Sequence, residues 1–547
     1  MDGMGHSVND ILSGVPTQLF LGGTFRDASD GGTFEVRDPA TDRVLVEVAS
    51  ATEDDARAAL DAACDAQGGW AATSPRERSD ILRRAFELIL EHDDELTYLQ
   101  SLEMGRALPD SRGEVKYAAE FFRWFSEEAV RLRGDYRRSP DGRSRLVTVR
   151  QPVGPALAIT PWNFPLAMGA RKIAPALAAG CTIIAKPASK TPLTMLYLAK
   201  LLEEAGVPAG VVQVLPTGTA SNVSAILDDD RLRKFTFTGS TAVGQALAAK
   251  AMETSMKVSL ELGGNAPFVV LEDGDVDKAV KAVKAAKLRN GGQVCIAPNR
   301  FIVHESLAKE FTDGVVAMFR ELTLGRGTDE DTELGPLALR DQQETVAKLV
   351  DDAIERGATV HCGGKIPQLS DDLADGYFYE PTVLTGFPLE ADIVAEEIFG
   401  PVVAVTEVSS DEEAIERAND TIFGLAAYVF SENLTRALGA AETIESGMVA
   451  VNKGGLSDAS APFGGVKQSG LGREGGFTGI DEFLEDKLIS LEGSGQGRPG
   501  SSALARRGSC RPRAPGRCRR YPRGPCRSWR PSRRRRPGPS NSPHARW

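Results

Sequence analysis

The sequence predicts an α/β protein built on two parallel sheets, each covered by helices. Three observations lead there. Short apolar strands alternate with amphipathic helices from 181 to 271, and the alternation repeats from 266 to 450. Such an order makes a doubly wound sheet, because each crossover helix returns the chain to begin a parallel strand. A Gly-rich turn, Thr238-Gly239-Ser240, separates a predicted strand from a predicted helix. The 547 residues are 41% hydrophobic and 26% charged, an ordinary globular balance. No apolar run reaches the ~18 residues of a membrane span, and the start, Met1-Asp2-Gly3-Met4, has no secretory pattern.

The elements follow in order. Residues 52–66 read as a helix with an acidic first turn, Glu53-Asp54-Asp55. A second helix follows Ser79-Asp80, with Ile81, Leu82, Ala85, Phe86, Leu88 and Ile89 at helical spacing. Residues 145–151 alternate in strand fashion. Strands are predicted at 182–185, 211–215 and 234–237. Between them lies a helix from Pro192 to Ala205, closed by Gly206 and Pro208. Another helix is predicted from Thr241 to Ala251.

Charge divides the chain. Residues 493–547 hold sixteen Arg and no Asp, Glu or Lys, which leaves 48 basic against 76 acidic side chains in residues 1–492. An acidic body argues against nucleic acid as its partner. The Arg/Pro-rich tail has little apolar content to offset the entropy of ordering and reads as disordered. Its alternatives are an arm for RNA or a membrane surface, or an extension foreign to the fold. Seven Cys in this length are not a disulfide framework, and a reducing cytoplasm is expected. No spacing implies a metal site.

Four segments suggest chemistry: Thr160-Pro161-Trp162-Asn163-Phe164-Pro165, Leu260-Glu261-Leu262-Gly263-Gly264-Asn265, Gly291-Gly292-Gln293-Val294-Cys295 and Glu396-Glu397-Ile398-Phe399-Gly400-Pro401. Singly each is weak. A lone Cys is more often a small buried hydrophobe, a lone Glu a surface charge, a Gly-rich stretch a turn. Together, with 34 residues from Glu261 to Cys295, they resemble the aldehyde dehydrogenase superfamily over about residues 20–490.

That resemblance implies a fold and a division of the chain. A Rossmann-type NAD(P)-binding domain would take residues 1–132 and 151–261, and an α/β catalytic domain 262–470. A small β-ribbon for oligomerisation would take 133–150 and 471–492. A ribbon edge needs covering, so a homodimer or homotetramer is expected.

The resemblance also implies roles. Cys295 would be the nucleophile, since a thiolate adds to a carbonyl far better than a hydroxyl does. Asn163 and the Cys295 N–H would hold the resulting oxyanion. Glu261 would activate the water that hydrolyses the thioester. Relatives that pass the acyl group to coenzyme A usually lack this Glu, so a free acid is the expected product.

Cofactor contacts would come from Thr160, Pro161, Trp162, Lys186, Ser189, Gly239, Ser240, Gly244, Leu262, Glu397 and Phe399. NAD-preferring relatives commonly carry Glu where this chain has Ser189. Ser189, beside Lys186 and Lys190, does not repel a 2′-phosphate, so NADP is expected ahead of NAD. The alternative is a neutral exchange in an NAD enzyme.

For the substrate, Arg171 and Arg289 resemble arginines that hold the carboxylate of succinate semialdehyde, and Ser457 sits where relatives place a substrate-facing loop residue. A guanidinium suits a carboxylate through paired hydrogen bonds. Either Arg could instead be structural. Rival readings are glutarate semialdehyde, a broad set of aldehydes, or a non-catalytic binding protein. Ala297, two residues after Cys295, provides no partner for a local disulfide.

Overall fold

The computed structural model describes residues 8–369 and 371–492. The tail 493–547, expected to be disordered, lies outside the described residues.

Five parallel strands form the centre of an eight-stranded sheet. They are Ala156–Ile159, Ile183–Lys186, Val212–Val214, Lys234–Thr238 and Lys257–Glu261. The chain leaves Ala156–Ile159, builds two strands on one side, then returns to lay Lys234–Thr238 on the other. Strand order reverses between those two neighbours. The crevice at such a reversal, outside the carboxyl ends, is where doubly wound sheets take ligands.

The predicted helices stand close to their expected bounds, at Leu193–Glu204 and Thr241–Met252. The first long helix runs further than expected, Glu53–Ala72, passing through Gly68 and Gly69. Thr52 starts it by accepting the Asp55 N–H while Asp55 reaches back to the Thr52 N–H, a capping box.

A second, seven-stranded sheet has six parallel strands, from Ala266–Val270 to Met448–Val451, and an antiparallel edge strand Thr359–Cys362. All five residues of Ala266–Val270 are buried, as in a strand covered on both faces. Phe268 stacks on Phe430 with ring centres 4.7 Å apart and meets Phe301 at 5.1 Å. Burying such a side chain contributes about 1.5–3 kcal/mol.

Asp135–Arg138, Ser144–Pro152 and Leu484–Glu492 form a separate three-stranded antiparallel ribbon. Its third strand takes the later part of the 471–492 stretch assigned to the ribbon. Gly470–Leu471 instead pairs with Lys257–Glu261 at the edge of the first sheet. Gly472, Gly475 and Gly476 then turn with φ of 85°, 67° and 56°, which no continuous strand adopts.

Candidate active site

The segment that carries Cys295, the expected nucleophile, is shaped by its backbone. Asp275 caps the helix Val276–Val283 by accepting the Lys278 N–H at 2.9 Å. The helix widens into a π-turn, Lys284–Leu288. Asn290, Gly291 and Gly292 then run left-handed, with φ of 56°, 62° and 77°. Gly292 has a second reason to lack a side chain: a Cβ there would lie 2.2 Å from the Gly400 carbonyl oxygen. On the other side, a Cβ on Gly264 would lie 2.3 Å from the Cys295 carbonyl. Cys295 is therefore pressed between the two sheets, at the amino ends of the second sheet's strands and the carboxyl ends of the first sheet's.

Cys295 opens into a cavity of about 250 Å³ that is also lined by Asn163, Pro161, Trp162, Gly239, Ser240, Leu262, Glu397 and Phe399. The structure thus brings together the expected nucleophile, the expected oxyanion donor and much of the expected cofactor set. Burial pushes the Cys295 thiol up to about 12, while the charges of Arg171 and Arg289 act in the opposite direction. Asn163 is tied to the nucleophile turn twice. Its Nδ2 donates to the Gln293 carbonyl at 3.0 Å, and its own carbonyl accepts from Asn290 Nδ2 at 2.9 Å. One amide hydrogen of Asn163 is left over for a ligand.

Glu261 ends its strand buried, with neither carboxylate oxygen partnered. Gly464 gives it room, since a Cβ there would stand 2.9 Å from Glu261 Oε1. Burial, and next the charge of Glu474, hold its pKa well above the usual carboxylate range. Glu474 behaves oppositely. Burial opposes its ionisation, but Lys172 and Arg171 outweigh that and hold it low. Lys172 and Arg171 sit on the helix Ala167–Ala179, which is buried along its whole length. Two buried cations need an interior counter-ion, and Glu474 is it. Glu474 and Lys172 were written in the sequence, but nothing in their spacing reveals the contact.

Arg171 pairs through Nε with Glu474 Oε2 at 2.7 Å and lies over Phe463 at 3.9 Å from the ring centre. Its Nη2 has no partner within the protein. Arg289 lies over Phe164 at 5.4 Å, and its Nε is likewise unpartnered. Ser457 borders a separate depression with Tyr117, Trp124 and Asp458. Burial raises the Tyr117 phenol pKa, while Arg171, Arg289 and a contact with Ser457 pull it back. Tyr117 therefore stands among all three expected substrate residues. The sequence reading missed it, because one Tyr on a helix carries no signal.

The cofactor side has its own cradle. Thr160 and Thr238 close the two strands that flank the order reversal, and both hydroxyls are buried without partners. Ser240 precedes the helix Thr241–Met252 without capping it, so its hydroxyl and the first N–H groups remain available. Gly244 lets that helix approach the sheet, as a Cβ would come 2.3 Å from Leu262 Cδ2. Lys186 is buried at its strand end and burial alone lowers its pKa. Ser189 is half-buried three residues on.

Glu397 Oε1 accepts the Gly264 N–H at 3.2 Å; burial pushes its pKa up to about 8, against the pull of Gly264 and Lys287. Trp162 and Phe399 meet edge to face at 5.4 Å. Phe399 has φ of 53°, a conformation few bulky residues adopt, and Gln342 Nε2 pins it through the carbonyls of Ile398 and Phe399 at 3.1 and 3.2 Å. Gln342 was also not singled out from sequence. Orphaned hydroxyls, an uncapped helix start and a buried lysine fit a dinucleotide. Among the described residues no group of three or more His, Cys, Asp or Glu could hold a metal ion, and no helix is long and apolar enough to cross a membrane.

Comparison with known proteins agrees. Residues 25–489 match the model of the aldehyde dehydrogenase family. The chain is 51% identical over 449 residues to succinate-semialdehyde dehydrogenase of Paenarthrobacter nicotinovorans, covering 82% of this chain and 99% of that one. It is 43% identical over 475 residues to glutarate-semialdehyde dehydrogenase of Pseudomonas putida, covering 87% and 97%. The crystal structure of an NADP-dependent enzyme of E. coli superposes with a TM-score of 0.85 at 42% identity, covering 87% and 98%. The fold, the cavity at Cys295 and these likenesses together establish that the chain belongs to the aldehyde dehydrogenase family.

Proposed function

We propose that this enzyme oxidises succinate semialdehyde to succinate and prefers NADP to NAD. One observation carries the substrate: two arginines, Arg171 and Arg289, keep unpartnered nitrogens inside the protein while their charges reach both Cys295 and Tyr117. A buried unpartnered guanidinium edge is costly unless a ligand anion completes it. Succinate semialdehyde has a carboxylate at one end and an aldehyde at the other. In this reading the carboxylate rests on Arg171 and Arg289, with Ser457 the expected further donor beside Tyr117, and the aldehyde end is offered to Cys295.

The Cys295 thiol first gives its proton to solvent; Sγ then bonds to that carbon as the C=O π bond opens, and the carbonyl oxygen becomes an oxyanion held by Asn163 Nδ2 and the Cys295 N–H. Thr160, Ser240, Lys186, Glu397 and the Trp162–Phe399 pair would bind and orient a dinucleotide, which would supply the hydride acceptor that turns this adduct into a thioester. Glu261 takes a proton from the water that attacks the thioester; the C–S bond breaks, and the acid leaves. A carboxylate pKa raised by burial makes a stronger base than an exposed one.

Members of the family use NAD(P). The preference for NADP rests on Ser189, which adds no negative charge beside Lys186 and Lys190. A lobe of residues 1–132 and 151–261 for the cofactor and one of 262–470 for catalysis agree with the two sheets. Apolar side chains exposed on the ribbon, Tyr136, Leu488, Ile489 and Leu491, support a homodimer or homotetramer. A thiol nucleophile, and four described cysteines that are all free, support a reducing compartment, the cytoplasm.

The test is the rate of reduced-nicotinamide formation by purified protein with succinate semialdehyde, glutarate semialdehyde and butanal, each with NAD and NADP. The reading expects succinate semialdehyde with NADP to give the highest kcat/KM. Equal values for butanal would demote the arginines to structural residues, and a higher value for glutarate semialdehyde would lengthen the substrate by one methylene.

A further inference from the structure

The elbow between the helices Asp93–Met104 and Leu108–Ala129 belongs to none of the motifs above. It carries three acids, Glu103, Asp110 and Glu114. Each accepts backbone N–H groups from a different loop of the active site. Glu103 accepts from Leu193 at 2.8 Å and Thr194 at 3.0 Å, just past the cofactor segment Lys186–Lys190. Glu114 Oε1 accepts from Leu166 at 2.9 Å and Ala167 at 2.7 Å, just past Asn163. Asp110 Oδ2 accepts from Asn290 at 2.7 Å, at the start of the left-handed turn that presents Cys295.

These bonds answer a local problem. The helices Leu193–Glu204 and Ala167–Ala179 begin directly after site loops, and neither has a side-chain cap of its own. Their preceding residues are Pro192 and Leu166, which have no side-chain oxygen. Buried helix starts leave orphan N–H groups that must be satisfied from elsewhere. Glu103 and Glu114 are almost completely buried, at 1% and 2% exposure, and do this from a distance. Arg106, between them, pairs with Glu114 and Gln100 and reaches the Asn163 carbonyl at 3.4 Å.

The elbow is also fixed to the second lobe. A Cβ on Gly327 or Gly335 would come within 2.3 or 2.0 Å of the Gly105 carbonyl. So one short segment grips the cofactor loop, the oxyanion loop and the nucleophile turn, and is itself wedged against the lobe that carries the nucleophile.

We propose that Glu103, Asp110 and Glu114 are positioning residues that set the register of the three active-site loops: Glu103 for the cofactor loop, Glu114 for Asn163 and Asp110 for the Cys295 turn. Each acts through the backbone it holds and none touches the substrate. The consequence is a separation of kinetic effects that a general loss of stability does not produce.

The test uses the full-length enzyme, with KM for the cofactor and the single-turnover rate of hydride transfer at saturating cofactor, each per folded molecule. Asp110→Ala should slow the single turnover by about tenfold to a hundredfold, the scale of a small misplacement of reacting atoms, with cofactor KM within about twofold. Asp110→Asn, which keeps an acceptor oxygen, should restore most of the rate. Glu103→Gln keeps one acceptor where two are used, and should raise cofactor KM about fivefold with the single-turnover rate nearly unchanged. The proposal is overturned if Asp110→Asn is as slow as Asp110→Ala, or if both sites alter the same parameter. It is equally overturned if activity falls only with the folded fraction. Wild-type rates come from the same preparation, so an error in the substrate assignment shows there and not in these ratios.

Discussion

Arg171 Nε and Glu474 Oε2 lie 2.7 Å apart in the interior, and Lys172 on the same helix shares the carboxylate. The contact joins two jobs. It compensates the Arg171 charge while Nη2 keeps no hydrogen-bond partner, and it adds to Lys172 in favouring the ionised form of Glu474 beside Glu261. The negative charge of Glu474 then raises the pKa of Glu261, after burial has raised it first.

A pH shift follows from that arrangement. In its proposed role as base Glu261 must lose its proton, so activity should fall as pH drops through its pKa. Glu474→Gln removes one of the two influences that raise this pKa and leaves Lys172 and Arg171 uncompensated, which lowers it further. The acid limb of the kcat profile should move to lower pH. Glu261→Gln should abolish the limb and slow thioester hydrolysis by about 10²–10⁴. An acid limb that stays in place in Glu474→Gln contradicts the coupling.

Asn163 has one amide hydrogen committed to the Gln293 carbonyl and one free. Asn163→Ala should therefore lower kcat by about 10²–10³, the usual cost of an oxyanion donor, with little change in substrate KM. Steady-state kinetics at saturating cofactor reads this directly. A change confined to KM would move Asn163 from the transition state to ground-state binding.

The proposed cofactor preference rests on Ser189. Ser189→Glu should reduce kcat/KM for NADP by about tenfold or more through repulsion of the 2′-phosphate, with NAD changed only a few-fold. Parallel titrations of the two cofactors measure it. An equal effect on both would mean that the side chain does not face the adenosine ribose.

Gly264 is required by contact. A Cβ there meets the Cys295 carbonyl at 2.3 Å, so Gly264→Ala must displace the nucleophile or the strand behind it. Overpacking of this kind costs about 1–3 kcal/mol in stability, and alkylation of Cys295 by iodoacetamide should change in rate at the same time. Unaltered thermal unfolding together with unaltered alkylation would contradict the packing.

The sheets and most of their helices were legible in the sequence because periodicity and turn residues act locally. The strand at 234–237 and the helix from Thr241 are found within a residue of Lys234–Thr238 and Thr241–Met252. The turn that precedes the ribbon strand was not legible, because four glycines in 470–476 decide it through φ angles that composition alone does not assign. In the site, motif residues such as Cys295, Asn163 and Glu397 were visible and line one cavity. Tyr117, Gln342 and Glu474 were not. Their importance comes from contacts across 302 residues for Lys172 with Glu474, or across 57 for Gln342 with Phe399, and no local pattern encodes those.

The central claim is that two arginines hold a substrate carboxylate at a fixed reach from Cys295. Arg289 is the cleaner probe, since Arg171 also neutralises Glu474. The decisive measurement is the ratio of kcat/KM for succinate semialdehyde to that for butanal, in the wild type and in Arg289→Met. Loss of a charged, paired hydrogen bond should lower the succinate semialdehyde value by about 10²-fold and leave butanal within a few-fold, so the ratio collapses. A ratio unchanged by the substitution would contradict the anchor and, with it, the assignment of a carboxylate-bearing substrate.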